Sequence, residues 1–237
     1  MGIQKLTDLI RSDMALSTEI LTLANSALYA FRTEIRASSR PQCFWDNRRY
    51  EGLPHRFNED SGALNLACCR HSLACALLAE ELAVGNFVDK DSAYTAALIH
   101  DIGRLALAVI QPAKYADLLK STEEEPCDVL KRERELFEID HCQAGCWLVE
   151  AWKLPRTFVD VTAHHHSKPE NRTSDMVVLV RHACLLADAL GFAAARSLES
   201  PSYQEVLEEL SERERRRFCQ SPEELSLKIA TKINSME

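Results

Sequence analysis

The sequence predicts an all-α protein, for three reasons. Apolar residues recur at three- and four-residue intervals through nearly the whole chain, the spacing of one helix face. Only seven glycines occur in 237 residues. Runs of β-branched residues are short, so little of the chain reads as a strand.

The elements follow in order. Leu6, Leu9 and Ile10, then Leu16, Ile20, Leu21, Leu23 and Ala24, form apolar stripes, with Asp13 and Ser17 as cap candidates between them. Leu64 to Ala83 is apolar around most of its circumference and predicts a buried helix. Ser92 to Ile110 predicts another, ended by Pro112, and PAKYADLLKS begins a third. EEEPCDVLKRERELF is an acidic turn with Pro126 near the start of a further helix. His141 to Trp152 follows until KLP stops it, and Phe158 to His165 makes one more. Asp175 to Ala195 reads as one long apolar helix, and Tyr203 to Ile233 as two amphipathic pieces. Residues 36 to 62 fit none of this. RASSRPQCFWDNRRYEGLPHRFNEDSG mixes Arg, Asn, Pro and aromatics without a face, and so long a loop is uncommon inside a compact domain. The chain therefore divides into an N-terminal helical part, 1–62, with that irregular stretch at its end, and a helical core, 63–237.

Composition narrows the function classes. The chain is 46% hydrophobic and 27% charged, ordinary for a globular protein. Its net charge of −8 argues against a broad nucleic-acid surface, which needs a basic face. The one basic cluster, SERERRRF (Ser211 to Phe218), alternates with acids and reads as a solvated helix face. No apolar run approaches the roughly 18–20 residues of a membrane span. Gln4, Lys5, Thr7 and Asp8 interrupt the first apolar stretch, so no export signal is expected. Nine cysteines, an odd number with no CxxC pair, suit reduced thiols in the cytoplasm. Cys142 and Cys146, and His71 and Cys75, are four apart and share helix faces, so either pair could hold a soft metal.

One stretch raises a chemical question. ALIHDIGRLAL places His100 and Asp101 side by side in an apolar run, and burying such a pair without partners costs several kcal/mol. Six of the eight histidines, His71, His100, His141, His164, His165 and His166, lie in or at the end of an apolar helix. Asp188, in CLLADALG, is a lone acid in another. Several buried imidazoles and two buried carboxylates need partners, and a pair of divalent cations supplies them together. His182, six residues before Asp188, reads as structural, and His55, in the irregular stretch, as exposed.

This pattern of His71, His100-Asp101, His164/His165 and Asp188 resembles the HD superfamily of metal-dependent phosphohydrolases. The HDOD branch is the nearer likeness. LIRSDMALSTEILTLANSALY (Leu9 to Tyr29) looks like its opening block. RHSLACALLAEELA, AYTAALIHDIGRLAL, DHCQAGCWLVEAWKLP and VTAHHHSKP look like its later blocks, in order, across roughly four-fifths of the chain. The fold this implies is a helical HD-superfamily core with an N-terminal helical subdomain. Because HDOD domains usually carry another helix before LIRSD, the resemblance implies an incomplete first subdomain or a misassigned start. Family members also have a helix where residues 36 to 62 stand. Reading Cys43 to Glu51 one base later yields residues compatible with that helix, so a shifted reading frame is one expectation and a true insertion the other.

The resemblance also implies a site. Carried over from the related HD-GYP phosphodiesterases, the metal ligands are His71, His100, Asp101, His141, His164, His165 and Asp188. The register within His164-His165-His166 stays open by one residue. Asp101 would bridge two cations, Fe, Mn or Zn, whose charge brings the pKa of water to about 7 for attack on a phosphoester. Arg104 stands where those enzymes carry a phosphate-contacting lysine. It either contacts phosphate or caps a helix end and pairs with an acid. The GYP segment is absent after the histidines, so cyclic-dinucleotide specificity does not carry over. HDOD domains are usually described as signalling modules, many without hydrolase activity. The expectation is therefore a bacterial signalling module with a buried metal-binding constellation and a signalling protein as partner. The alternatives are an active two-metal phosphohydrolase acting on a nucleotide or other phosphoester, and a nucleotide-binding sensor.

Overall fold

The computed structural model describes residues 59–86, 88–169, 174–198, 200–218 and 220–235, with side chains from residue 67 onward. The expected N-terminal stripes, the opening block, His55 and residues 36–58 of the irregular stretch lie outside the described residues. Helix α1 (Glu59–Asn86) runs through the middle of the core. Its residues from Cys68 to Ala83 are buried on almost every side, as expected for a helix apolar all round. It starts four residues inside the stretch expected to be irregular, because Glu59, Asp60 and Ser61 suit a first helical turn.

Helix α2 (Lys90–Ile99) begins at an N-cap, Asp89, whose carboxylate accepts from Ser92 N at 2.8 Å. Helix α3 (Ile102–Ile110) follows at once. The sequence predicts a single helix from Ser92 to Ile110; the chain instead turns a corner at His100-Asp101, where Asp101 leaves helical geometry at φ −99° and ψ 15°. Periodicity misses this corner because both helices are buried nearly all round, so the apolar pattern continues through it. Lys90–Ile110 is also the one stretch among the described residues long and apolar enough to cross a membrane. It is mostly buried within the fold. Counting apolar residues only as far as the His-Asp pair splits it into two shorter runs.

Helices α4 (Pro112–Glu124), α5 (Val129–Phe137), α6 (His141–Ala151) and α7 (Arg156–His164) come next. Asp128 and Asp140 cap α5 and α6 by accepting from Lys131 N and Gln143 N. Helix α8 (Asp175–Ala187) ends in a π turn, Asp188–Phe192, with Gly191 at φ 89°, rather than running on to Ala195. The C-terminal segment makes three pieces, not two: α9 (Tyr203–Glu209), α10 (Glu212–Arg215) and α11 (Pro222–Asn234), each capped by a serine. The described residues contain no strand, only one isolated bridge between Cys127 and Ser197.

Helix α1 packs on α2 and α8, while α3 packs on α6 and α6 on α7. The α3–α6 crossing depends on two glycines. A β-carbon on Gly103 would stand 1.9 Å from the carbonyl oxygen of His141, and one on Gly145 would stand 3.1 Å from the backbone nitrogen of Gly103, as well as 2.5 Å from Thr162 Cγ2 on α7. Only glycine permits such a close backbone approach. The crossing lays the start of α3, and Asp101 with it, against the start of α6, which carries His141.

Candidate metal centre

Asp101 is the point on which separate helices converge. Its Oδ1 lies 3.2 Å from Nε2 of His141 (α6) and 3.2 Å from Nε2 of His165, at the end of α7. Its Oδ2 lies 3.6 Å from Nε2 of His71 (α1) and 3.7 Å from Nε2 of His100. Asp188, at the start of the π turn, reaches Nδ1 of His71 at 3.4 Å. All but Asp188 are buried.

The four imidazoles share a proton arrangement. Nδ1 of His71 donates to the Phe192 carbonyl at 3.0 Å, His100 to Ala97 at 2.5 Å and His165 to Thr162 at 3.1 Å. His141 Nδ1 donates to the Glu133 carboxylate at 2.6 Å. A carbonyl can only accept, so each Nδ1 holds the proton and each neutral ring turns a bare Nε2 inward. Lone pairs then face the lone pairs of Asp101. Nε2 of His100, Nε2 of His165 and Oδ1 of Asp101 make no hydrogen bond at all. Buried acceptors in this arrangement need either protons or a cation between them. An Nδ1 anchored on a carbonyl or carboxylate with Nε2 turned inward is also the way metal-ligating histidines are held. The donor set fits a divalent ion.

Without an ion, protons supply the charge. Burial works against protonating His71, but a hydrogen bond donated to the Cys184 sulfur and the charges of Asp188 and Asp101 raise its pKa to about 9. His141 is raised well above the ordinary histidine value: burial and Arg104 oppose this, and the Glu133 and Asp101 carboxylates outweigh them. Burial lifts Asp188 to about 6. Burial pushes His165 and His166 down, aided for His166 by the neighbouring imidazoles.

Arg104 belongs to the carboxylates. Its Nε donates to Asp101 Oδ2 at 2.6 Å and its Nη1 to Tyr115 Oη at 3.3 Å, with Glu133 Oε1 at 3.6 Å. Tyr115 in turn donates to Glu133 at 3.0 Å. Of the two readings open for Arg104 in the sequence, pairing with an acid is the one the geometry contains.

The register of the histidine run differs from the expected pair. His164 and His166 are both exposed, but the ring that reaches the centre beside the buried His165 is that of His166. His166 Nε2 lies 3.0 Å from His141 Nε2. Three further residues of the centre escaped the sequence reading. Glu133 sits between Val129 and Phe137 at four-residue spacing, and an acid on that apolar face was the available signal. Tyr115 gave no signal. Cys184 lies four residues before Asp188, on the same face. Its sulfur falls with the Cys75 sulfur and a ring nitrogen each of His71 and His100 in a group whose ligand atoms are all within 4.8 Å of one another. Cys142 groups with His141, His165 and His166, whereas Cys146 joins no such group among the described residues. No disulfide forms among the described cysteines. His182 is buried 4.0 Å from both Glu209 and Glu214, away from the centre.

A cavity of about 710 Å³ opens onto the centre. His71, Arg104, His166 and Asp188 form its floor side, and Lys168 and Arg181 also line it.

The family profile of the HDOD domain matches residues 1–40 and 57–168. The chain belongs to the HDOD domain family. Residues 41–56, inside the irregular stretch, and 169–237, which carry Cys184 and Asp188, are not matched; the all-α core described above is the fold of HDOD structures. One similar structure is an HDOD domain protein of unknown function from Geobacter sulfurreducens: 20% identity, TM-score 0.53, covering all of this chain and 84% of that one. A protein from Marinobacter aquaeolei VT8 assigned provisionally to signal transduction is 19% identical, with TM-score 0.53, covering all of this chain and 55% of that one. The MmoQ response regulator from Methylococcus capsulatus str. Bath is 25% identical, with TM-score 0.49, over 70% of this chain and 63% of that one. No curated protein matches.

Proposed function

We propose that this HDOD domain is a bacterial signal-transduction module whose buried centre holds a divalent ion, Fe, Mn or Zn, as part of its structure. The candidate ligands are His71, His100, Asp101, His141, His165 and Asp188, with His166 in place of the exposed His164. One observation carries the reading: Arg104 Nε sits on Asp101 Oδ2 at 2.6 Å. A carboxylate that bridges two cations needs both oxygens, and here a guanidinium, itself held by Tyr115 and Glu133, already neutralises one of them. When bound, the ion supplies the positive charge that the imidazoles otherwise take up as protons. Arg104 anchors Asp101, and Glu133 fixes the tautomer of His141. The output passes to another signalling protein.

The cavity favours a second reading. Among the acids Asp128, Asp188, Glu205 and Glu209, its lining also presents Lys168 and Arg181, which suit a nucleotide or other phosphoester, bound by a sensor or cleaved by a phosphohydrolase. Metal analysis of the purified chain, together with turnover of bis-p-nitrophenyl phosphate, separates the two. One equivalent of metal without turnover is expected. Two equivalents with turnover abolished by Asp101→Asn would replace the module with the hydrolase.

A further inference from the structure

We infer that His71, Cys75, His100 and Cys184 form a two-histidine, two-thiolate site that selects a soft ion such as zinc. The inference rests on the preceding reading only in that the centre binds a cation at all; it adds the sulfurs of Cys75 and Cys184 to the His71 and His100 of that ligand set and says which ion the four choose.

The four side chains come from three elements. His71 and Cys75 are one turn apart on α1, His100 ends α2 and Cys184 lies in the last turn of α8. All four are buried, at 5%, 0%, 0% and 6% exposure. Their ligand atoms lie within 4.8 Å of one another, and Cys75 Sγ is 3.5 Å from His71 Nε2. A tetrahedron with Zn–S of about 2.3 Å and Zn–N of about 2.0–2.1 Å has edges of roughly 3.3–3.8 Å. The measured pair already matches such an edge.

The neighbours hold both rings with Nε2 inward, with Asp101 Oδ2 at 3.6 and 3.7 Å. Nδ1 of His71 is taken by the Phe192 carbonyl and Nδ1 of His100 by the Ala97 carbonyl. His100 Nε2 makes no hydrogen bond. Asp188 approaches His71 at Nδ1, the nitrogen turned toward Phe192, at 3.4 Å. It therefore orients that ring, while Cys184, one turn earlier, brings its sulfur within 4.8 Å of the other ligand atoms. Two sulfurs change the ion that the site prefers. Thiolate donors favour zinc, ferrous iron or cobalt, whereas oxygen donors favour magnesium or manganese.

Cobalt(II) provides the test, because thiolate ligation gives a near-ultraviolet charge-transfer band that imidazole and carboxylate do not. The full chain, reduced and freed of metal, is loaded with cobalt and then challenged with zinc. The expected result is one equivalent bound with that band, displaced by zinc but not by excess manganese. Cys75→Ser and Cys184→Ser should each cut the band to about half, one thiolate remaining, and bind zinc at least about a hundredfold more weakly, whereas Cys146→Ser, outside the group, should keep the whole band. Should either cysteine variant fail to fold, thiol titration of the unaltered chain replaces it, since zinc should shield two thiols from reagent. An ion bound without the band, or with no thiol shielded, would overturn this assignment and leave the proposed metal-holding module standing. Binding of no ion at all would overturn both.

Discussion

Gly103 lies so close beneath His141 that a β-carbon would come within 1.9 Å of the His141 carbonyl oxygen. The contact is backbone against backbone, so no side chain can swing away to relieve it. It sets how far α3 sinks onto α6, and hence how Asp101 Oδ1 and His141 Nε2 come to be 3.2 Å apart. Gly103→Ala should destabilise the domain by roughly 1–3 kcal/mol or more, the cost of overpacking a tight core. It should also weaken metal binding, because the two helix starts must separate. Thermal unfolding with and without metal measures both effects, and a variant that melts like the parent would contradict them.

The histidine run yields a prediction of register. His164 is exposed and His166 Nε2 lies 3.0 Å from His141. His164→Ala should leave metal content and melting temperature unchanged. His166→Ala should lower metal retention during dialysis. The reverse order would place the facing pair one residue earlier.

Glu133 should govern the acid limb of stability. Burial works against its ionisation, yet the charge of His141, the hydrogen bonds from that residue and Arg104 hold its carboxyl below the usual value. For a group depressed in the folded state, the unfolded chain binds the extra proton. Its stabilisation is present above the unfolded value of about 4.3 and is lost as pH falls below that. Glu133→Gln should flatten the decline in stability below about pH 4.3. At neutral pH it should cost about 3–5 kcal/mol, because Arg104 and His141 lose a buried partner. Chemical denaturation across that pH range checks the slope, and parallel acid limbs would refute the assignment.

Metal affinity should rise with pH. Ligating imidazoles must shed their protons, and His71 holds its own up to about 9 while His141 is raised as well. Binding near neutrality should therefore release protons, and affinity should keep climbing until pH passes about 9. Calorimetry in buffers of different ionisation heat counts the protons. Release of none would mean that the rings are already bare.

How far the centre was legible depends on where each residue lies. His71, His100, Asp101, His141, His165 and Asp188 stood out because each is an ionisable group in an apolar stretch, and the structure brings them together. Aligning Ala163-His164-His165 with the family's pattern favours His164 over His166, and a run of three identical residues carries no phase to correct it; the end of α7 decides it. Glu133 was hidden in KRERELF, where neighbouring charges disguise an acid turned inward. Cys184 looked like any small core residue. The corner at His100-Asp101 left no mark, since no glycine or proline sits at it and the residues on both sides of it, Ala96 to Ile99 and Ile102 to Val109, are all buried. The π turn was equally silent, because its widening shows only in the backbone.

That widened turn ties two contacts into one mechanical part. The Asp188 carboxylate and the Phe192 carbonyl both rest on the same nitrogen of His71, and both come from a single five-residue loop of backbone. Neither can be moved without the other. Anyone grafting these histidines onto another bundle must carry the turn as well, since an ordinary α-helical continuation would rotate the carbonyl away and leave the grafted ring free to spin.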